Sequence, residues 1–183
     1  MQASKVREHT LSVLVENRPG VLSRVAGLFS RRGFNIESIV VGTTEDRRYS
    51  RMTIVVVGDD AEVEQVSKQL HKVIDVIKVS ELSSQEMVER ELALIKVAAD
   101  RSNRSEILQI VDIFRASVID VSDRSLVIEV TGDTDKVKAM VDLLRPFGIK
   151  ELVRTGRVAM TRGPRGVTAE PERQASGLQA VRG

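Results

Sequence analysis

Apolar residues recur along this chain with two periods, and the switches between them mark out the elements. Residues 10–16 alternate and then run apolar through Leu11, Val13, Leu14 and Val15, which predicts a strand. Asn17-Arg18-Pro19-Gly20 breaks the run, since Asn and Pro stop a strand and open a helix. Val21/Leu22, Val25 and Leu28/Phe29 then recur at helical spacing, with Ser23, Arg24 and Arg31 outside and Gly33 as a natural C-cap. Residues 34–41 predict a second strand, 42–48 a charged hairpin loop and 49–57 a third strand. Gly58-Asp59-Asp60 caps a second helix whose buried stripe is Val63, Val66, Leu70 and Val73/Ile74. Residues 75–82 close the unit as a fourth strand, giving the order βαββαβ.

The pattern then starts again. Residues 83–90 are polar and acidic and read as a linker or short helix. Strand 92–98, helix 103–114 with Leu108, Val111 and Phe114 in register, and strands 117–121 and 126–131 follow. Asp133/Thr134 cap a helix carrying Val137, Met140, Val141 and Leu144, and 148–160 form one longer last strand. A shift of 74 lays Ile54 on Ile128, Val56 on Val130, Gly58-Asp59 on Gly132-Asp133, Val63 on Val137 and Leu70 on Leu144. The first halves align at a larger shift, Leu22 with Leu108 and Phe29 with Phe114, because the first hairpin loop is longer.

This duplication predicts an α+β chain of two ferredoxin-like βαββαβ domains, each an antiparallel sheet with its helices on one face. The expected division is 8–82, a linker 83–90, and 91–162. Residues 163–183 hold two of the four prolines and little apolar periodicity, and a flexible tail is expected there.

Composition narrows the chemistry. The 183 residues include 40 Val and Ile but only four Phe, one Tyr and no Trp, so little is available to stack on a base or a flavin. Cysteine is absent, which removes disulfides, thiolate nucleophiles and Cys-based zinc sites. His9 and His71 are too few for a His-rich metal centre, and His71 is expected within the second helix at the surface or half-buried rather than catalytic. The N-terminal run Met1-Gln2-Ala3-Ser4-Lys5-Val6-Arg7 lacks the apolar segment of a signal peptide, and no apolar run approaches a membrane span; a cytoplasmic location is expected. A formal charge of +2 gives no reason to expect nucleic acid. An RNA-binding plait would carry aromatics on its central strands, and the strand 49–57 has only Tyr49 at its edge. A hydrolytic plait would pair Arg18 with an Asn on that strand, and none is there. Asp59/Asp60 and Asp133 read as caps, and Arg31-Arg32 and Arg47-Arg48 as solvated faces, either pair being a possible contact for an acidic partner.

The segment Glu16-Asn17-Arg18-Pro19-Gly20-Val21-Leu22-Ser23-Arg24, with Asn35 fifteen residues after Gly20, has chemistry suited to a free amino acid. Gly20 opens the helix without a Cβ, so a carboxylate can reach the free N–H groups near Gly20 and Val21. Asn17 and Asn35 offer amide oxygens to an ammonium group, and Leu22 and Ile36 an apolar wall. Charge-assisted hydrogen bonds are worth roughly 1.5–3 kcal/mol each. Three of them, net of binding costs, support an affinity of roughly −4 to −8 kcal/mol, millimolar to micromolar. On the residues alone, the segment also reads as a plain strand-to-helix turn.

That segment, together with Phe29-Ser30-Arg31-Arg32-Gly33-Phe34-Asn35-Ile36-Glu37-Ser38, Ser50-Arg51-Met52-Thr53-Ile54 and the stretches 68–76 and 88–92, resembles an ACT domain. More narrowly, it resembles the regulatory small subunit of acetohydroxyacid synthase (acetolactate synthase), over roughly residues 8–162. The resemblance implies a regulatory subunit that is not itself an enzyme and holds no cofactor. Thiamine diphosphate, magnesium and FAD are expected on the catalytic large subunit, which joins two 2-ketoacids in branched-chain amino-acid synthesis. It implies feedback inhibition chiefly by valine, with leucine and isoleucine as further candidates. It also implies a homodimer through the ACT domains, with the effector between the first helix of one chain and the second strand of the other. Carried over by motif, Asn17, Gly20, Val21, Leu22, Asn35 and Ile36 are the expected effector contacts. Residues 98–102 lack the Asn-x-Pro-Gly opening, so the second half is expected to dimerise or dock. The strand 34–41 would lie at a sheet edge without Pro or Lys to block pairing, which favours a dimer on separate grounds unless the loop 42–48 covers it. Alternatives are an ACT-type amino-acid sensor of another enzyme, or an RNA-binding or small hydrolytic plait.

Overall fold

Alternation along the first strand decides the first layer. In the computed structural model, which describes residues 6–164, β1 (Arg7–Glu16) turns Leu11, Val13 and Val15 to one side and Thr10, Ser12 and Leu14 to the other. On the first side lie α1 (Val21–Arg31), carrying Val21, Val25 and Phe29 into the core. Beside it lies α2 (Asp60–Leu70), which adds Val63, Val66 and Leu70. β2 (Ile36–Thr43), β3 (Tyr49–Gly58) and β4 (Val76–Glu81) complete an antiparallel sheet in the order β2-β3-β1-β4. Its register sets Leu11 opposite Ile54 and Val13 opposite Met52, so the core face is built from cross-strand apolar pairs.

The second unit repeats this plan with β5 (Met87–Ala98), α3 (Arg104–Ile113), β6 (Ser117–Ser122), β7 (Ser125–Gly132), α4 (Thr134–Leu144) and β8 (Ile149–Arg154). Its strands run β6-β7-β5-β8, and Ile95, Val97, Ile107, Val111, Ile128, Val130 and Met140 form a separate core. Both units are therefore ferredoxin-like, with helices on one face, as the hydrophobic periods predict. Asp59 and Asp133 are caps. The Asp59 carboxylate accepts from the Glu62 N–H at 2.8 Å while Glu62 accepts from the Asp59 N–H at 2.9 Å, and Asp133 accepts from the Lys136 N–H at 2.8 Å. Gly33 follows α1 with φ 74° and donates to the Ser30 carbonyl, the expected C-terminal turn.

Four expectations change at the level of elements. Met87–Arg90, placed by sequence in a linker, open the twelve-residue strand β5, because they find a partner in a ninth strand. The single strand expected over 148–160 is β8 plus β9 (Val158–Thr161), interrupted at Thr155-Gly156-Arg157. Both pieces run along one edge of β5, Ala93 opposite Arg154 and Arg90 opposite Val158, so the interruption carries one surplus residue. α2 stops at Leu70, where the Val73 N–H donates to the Leu70 carbonyl and closes the turn; Ile74 is 91% exposed rather than in the stripe. In α3 Val111 is buried and Phe114 packs against the core as predicted, but Ile107 takes the place expected for Leu108, which is 40% exposed. The tail expected over 163–183 lies outside the described residues from 165 onward.

The second unit covers the open face of the first sheet. Thr10, Ser12, Thr53 and Val55 point away from α1 and α2 yet are buried. Leu82, Met87 and Ala159 make a small third cluster at this junction, and Arg157 bonds to Thr10 across it.

Candidate functional site

β1 ends where two main-chain bonds fasten the next turn to the sheet. The Glu16 N–H donates to the Asp75 carbonyl at 2.8 Å and the Asn17 N–H to the Arg48 carbonyl at 2.7 Å. The Asn17 side chain adds a third, Nδ2 donating to the Arg47 carbonyl at 3.0 Å, which leaves Oδ1 as an acceptor. The chain then turns through Pro19 into Gly20, the N-cap of α1, at φ 84° and ψ −8°. A residue with a Cβ holds that left-handed conformation at a cost of roughly 1–2 kcal/mol. Gly20 also leaves the first turn of α1 without a side-chain cap, so its donors face outward at the positive end of the helix.

Arg24 folds back over this turn. Its Nη1 lies 3.3 Å from where a Cβ on Gly20 would stand, and its Nε donates to Oδ2 of the buried Asp75 at 2.7 Å. The notch thus gathers bare helix donors, a guanidinium held in place by a carboxylate, and the Asn17 amide oxygen. Such a set can take a small anion and accept from a neighbouring ammonium. Leu22, on the first turn, is 47% exposed. The Val21 side chain is buried in the core and its N–H, expected to be free, turns back on the Arg18 carbonyl at 3.4 Å, leaving the later first-turn donors open. Sequence reading placed Arg24 among the outward polar residues and passed over Asp75. The available signal was spacing, since Arg24 stands one helical turn beyond Gly20 on the same face.

Asn35 and Ile36 stand elsewhere. Ile36 is opposite Val56, which is opposite His9, whereas the notch follows Glu16. Seven residues of β1 separate those positions, about 23 Å at strand rise. Asn35 is exposed, its Nδ2 donating to Glu37 at 2.8 Å, and Ile36 is half-buried. One chain therefore groups Asn17, Gly20, Val21 and Leu22 at one end of the sheet and sets Asn35 and Ile36 at the other. Among the described residues β2 is an edge strand, paired only with β3. The loop before β3 folds on itself and toward Asn17. The Arg48 guanidinium bonds to Asp46 and holds its carboxyl below the usual carboxylate range.

The second unit fills its corresponding turn from within. Asp100 Oδ1 accepts from the Ser102 hydroxyl at 2.6 Å, the Ser102 N–H at 2.8 Å and the Asn103 N–H at 3.3 Å. Those bonds, the Ser102 hydroxyl foremost, hold the Asp100 carboxyl below its ordinary value. Asp100 precedes the α3 N-cap by three residues, as Asn17 precedes Gly20, so a built-in carboxylate stands where the first unit is open. Among the described residues no three His, Cys, Asp or Glu side chains gather as a metal site, and no helix is long and apolar enough to cross a membrane.

Known proteins resemble this chain over most of its length. Residues 11–78 match the family described as "AHAS small subunit-like ACT domain", and residues 90–163 match "Small subunit of acetolactate synthase". A probable acetolactate synthase small subunit of Archaeoglobus fulgidus is 64% identical over 156 residues, covering 85% of this chain and 98% of that protein. The acetolactate synthase small subunit of Mycobacterium bovis is 56% identical over 161 residues, 88% of this chain and 96% of its own. The crystal structure of the acetolactate synthase small subunit from Thermotoga maritima superposes with a TM-score of 0.80 at 49% identity, covering 87% of this chain and 99% of that one. The chain belongs to the acetolactate synthase small-subunit family, with its ACT domain in the first unit.

Proposed function

We propose that this chain is the regulatory subunit that raises the activity of the catalytic large subunit of acetohydroxyacid synthase and confers feedback inhibition by valine. The observation that carries this reading is the Gly20 notch, with open first-turn donors flanked by Arg24 and Asn17. The valine carboxylate takes those donors, and Asn17 Oδ1 accepts from the ammonium. A second copy, paired along the free edge of β2, brings Asn35 and Ile36 to the ligand that Leu22 begins to enclose. The separation of the two residue groups within one chain supports such a homodimer, because neither group encloses an amino acid alone.

The chain itself catalyses nothing on this reading and acts in the cytoplasm. Thiamine diphosphate, magnesium and FAD belong to the large subunit. Valine changes the synthase only in so far as it binds one arrangement of the ACT pair more tightly than another. Leucine and isoleucine share the head group, and their extra methylene is worth about 1–3 kcal/mol in an apolar pocket.

The test is reconstitution. The large subunit is assayed alone, with this chain, and with this chain plus valine, while calorimetry follows valine binding to this chain. Activity rises on mixing and falls with valine, and binding lies in the millimolar to micromolar range. Absence of both valine uptake and inhibition overturns the reading.

A further inference from the structure

We propose that the elbow Thr155-Gly156-Arg157 is the joint that carries the ligand state of the first unit to the second, with Arg157 as its positioning residue. The ligand side of this inference rests on the regulatory reading above; the joint itself rests on packing.

The two units have separate cores, so what passes between them passes through their junction. Arg157 is the most connected side chain there, and only 13% of it is exposed. Its Nη1 donates to Thr10 Oγ1 at 3.1 Å and its Nη2 to Glu8 Oε2 at 2.8 Å, both on β1 of the first unit. The same Nη2 donates to Thr134 Oγ1 at 3.2 Å, at the start of α4, and Nε lies 3.1 Å from Glu89 Oε2 on β5. One guanidinium therefore ties a strand of the first sheet to a strand and a helix of the second unit.

Gly156 makes the second half of the contact. At φ +85° it sits against β2, and a Cβ there would stand 2.9 Å from Ser38 Cβ and 3.4 Å from Val40 Cγ2. Ser38 lies two residues beyond Ile36, on the strand expected to reach the ligand of a second copy. A ligand that draws in Asn35 and Ile36 therefore pulls on the strand that the elbow touches. The base of the elbow is fixed to the second unit, since Arg154 grips the buried Glu91 at 2.6 and 2.7 Å. Beside it lies a cavity of about 400 Å³ lined by Glu37, Ser38, Glu91 and Arg154, so the elbow has room to move. Directional bonds beside a cavity exchange partners in discrete steps, as a two-state joint requires.

The experiment compares Arg157→Gln with the parent in the reconstituted synthase. Valine binding to the small subunit, read by calorimetry, stays within about twofold of the parent, since Arg157 is remote from the notch. The valine concentration for half-inhibition rises about tenfold, the size of a typical coupling between sites. The natural chain has no cysteine, so Ser38→Cys and Gly156→Cys, added to Arg157→Gln, give a clean disulfide tether. Their Cβ positions would stand 2.9 Å apart, closer than the roughly 3.5–4.5 Å of a disulfide, so the elbow backs away slightly from β2 as the bond forms. Oxidation of the tether restores inhibition and reduction abolishes it, a rescue that mere loss of stability would not show. Thr134→Val, which deletes one contact and keeps the guanidinium, gives the same split in smaller measure should Arg157→Gln fail to fold.

Unchanged inhibition in Arg157→Gln overturns the joint, as does loss of valine binding together with inhibition. If the parent takes up no valine, the valine reading fails and the joint is judged by calorimetric unfolding. One transition in the parent and two in Arg157→Gln support it; one transition in both refutes it.

Discussion

Replacing Gly20 by Asp perturbs the notch in two separable ways. The first is conformational. At φ 84° any side chain carries a strain of roughly 1–2 kcal/mol, which lowers Tm by about 4–8 °C per kcal/mol in a domain of this size. The new Cβ meets only the far end of the Arg24 side chain at 3.3 Å, so the helix itself need not move. The second is electrostatic. A carboxylate at position 20 faces the Arg24 guanidinium and the open donors of α1, and occupies them as Asp100 occupies the turn before α3. Valine then forfeits one charge-assisted bond at least, roughly 1.5–3 kcal/mol, which weakens binding by about 10- to 150-fold. Gly20→Ala carries the strain without the charge and changes the valine Kd by less than about fivefold. Calorimetric titration with valine reads the affinities, and scanning calorimetry confirms that both variants fold. An Asp variant that folds and binds within twofold of the parent refutes the argument, as does an Ala variant that loses as much affinity as the Asp variant.

Three further outcomes are expected. Asn35→Ala weakens valine binding by about 1–3 kcal/mol if its amide meets the ammonium in a dimer; an unchanged titration removes Asn35 from the site. Phe29→Ala empties the centre of the first core, where the ring is fully buried, and costs about 3–5 kcal/mol in urea unfolding. Asp100 has its carboxyl held down by Ser102 and Asn103, so its stabilisation is full above its ordinary value near 3.8 and is lost as pH falls through the lower folded value. Asp100→Asn is therefore less stable than the parent at neutral pH, and the gap closes in acid; a gap that widens below pH 4 contradicts the assignment.

Much of the architecture is legible in the order of residues because period and punctuation agree. Leu11, Val13 and Val15 alternate, Val21, Val25 and Phe29 recur every four, and Gly33, Asp59 and Asp133 sit where the periods change. Tertiary geometry decides the rest. The stripe of α2 continues through Val73 and Ile74 in pattern, yet a turn closed on the Leu70 carbonyl ends the helix first. Leu108 and Ile107 are equivalent to a helical period one residue out of phase, and packing against β5 and β7 selects Ile107. Met87–Arg90 read as linker because their partner, β9, lies some seventy residues away in the chain. At the notch, Gly20 and Asn17 stand in a readable motif. Arg24 depends on Asp75, close in space just before β4 but 51 residues on in the chain, a pairing that no local spacing announces.

The uneven ladder beside β5 also bears on which changes in chain length this protein tolerates. From Arg154 to Val158 is four steps, while the facing span from Ala93 to Arg90 is three. Loss of one codon within 155–157 would make the two spans equal and join β8 and β9 into one unbroken strand. Val158, Ala159 and Met160 would keep their partners on β5 and so their faces, but the elbow that sets Gly156 against Ser38 and Arg157 against Thr10 and Glu8 would be drawn out flat. Point substitutions at Thr155 leave the surplus residue in place, so evolutionary drift here is expected to proceed by replacement and to shun deletion.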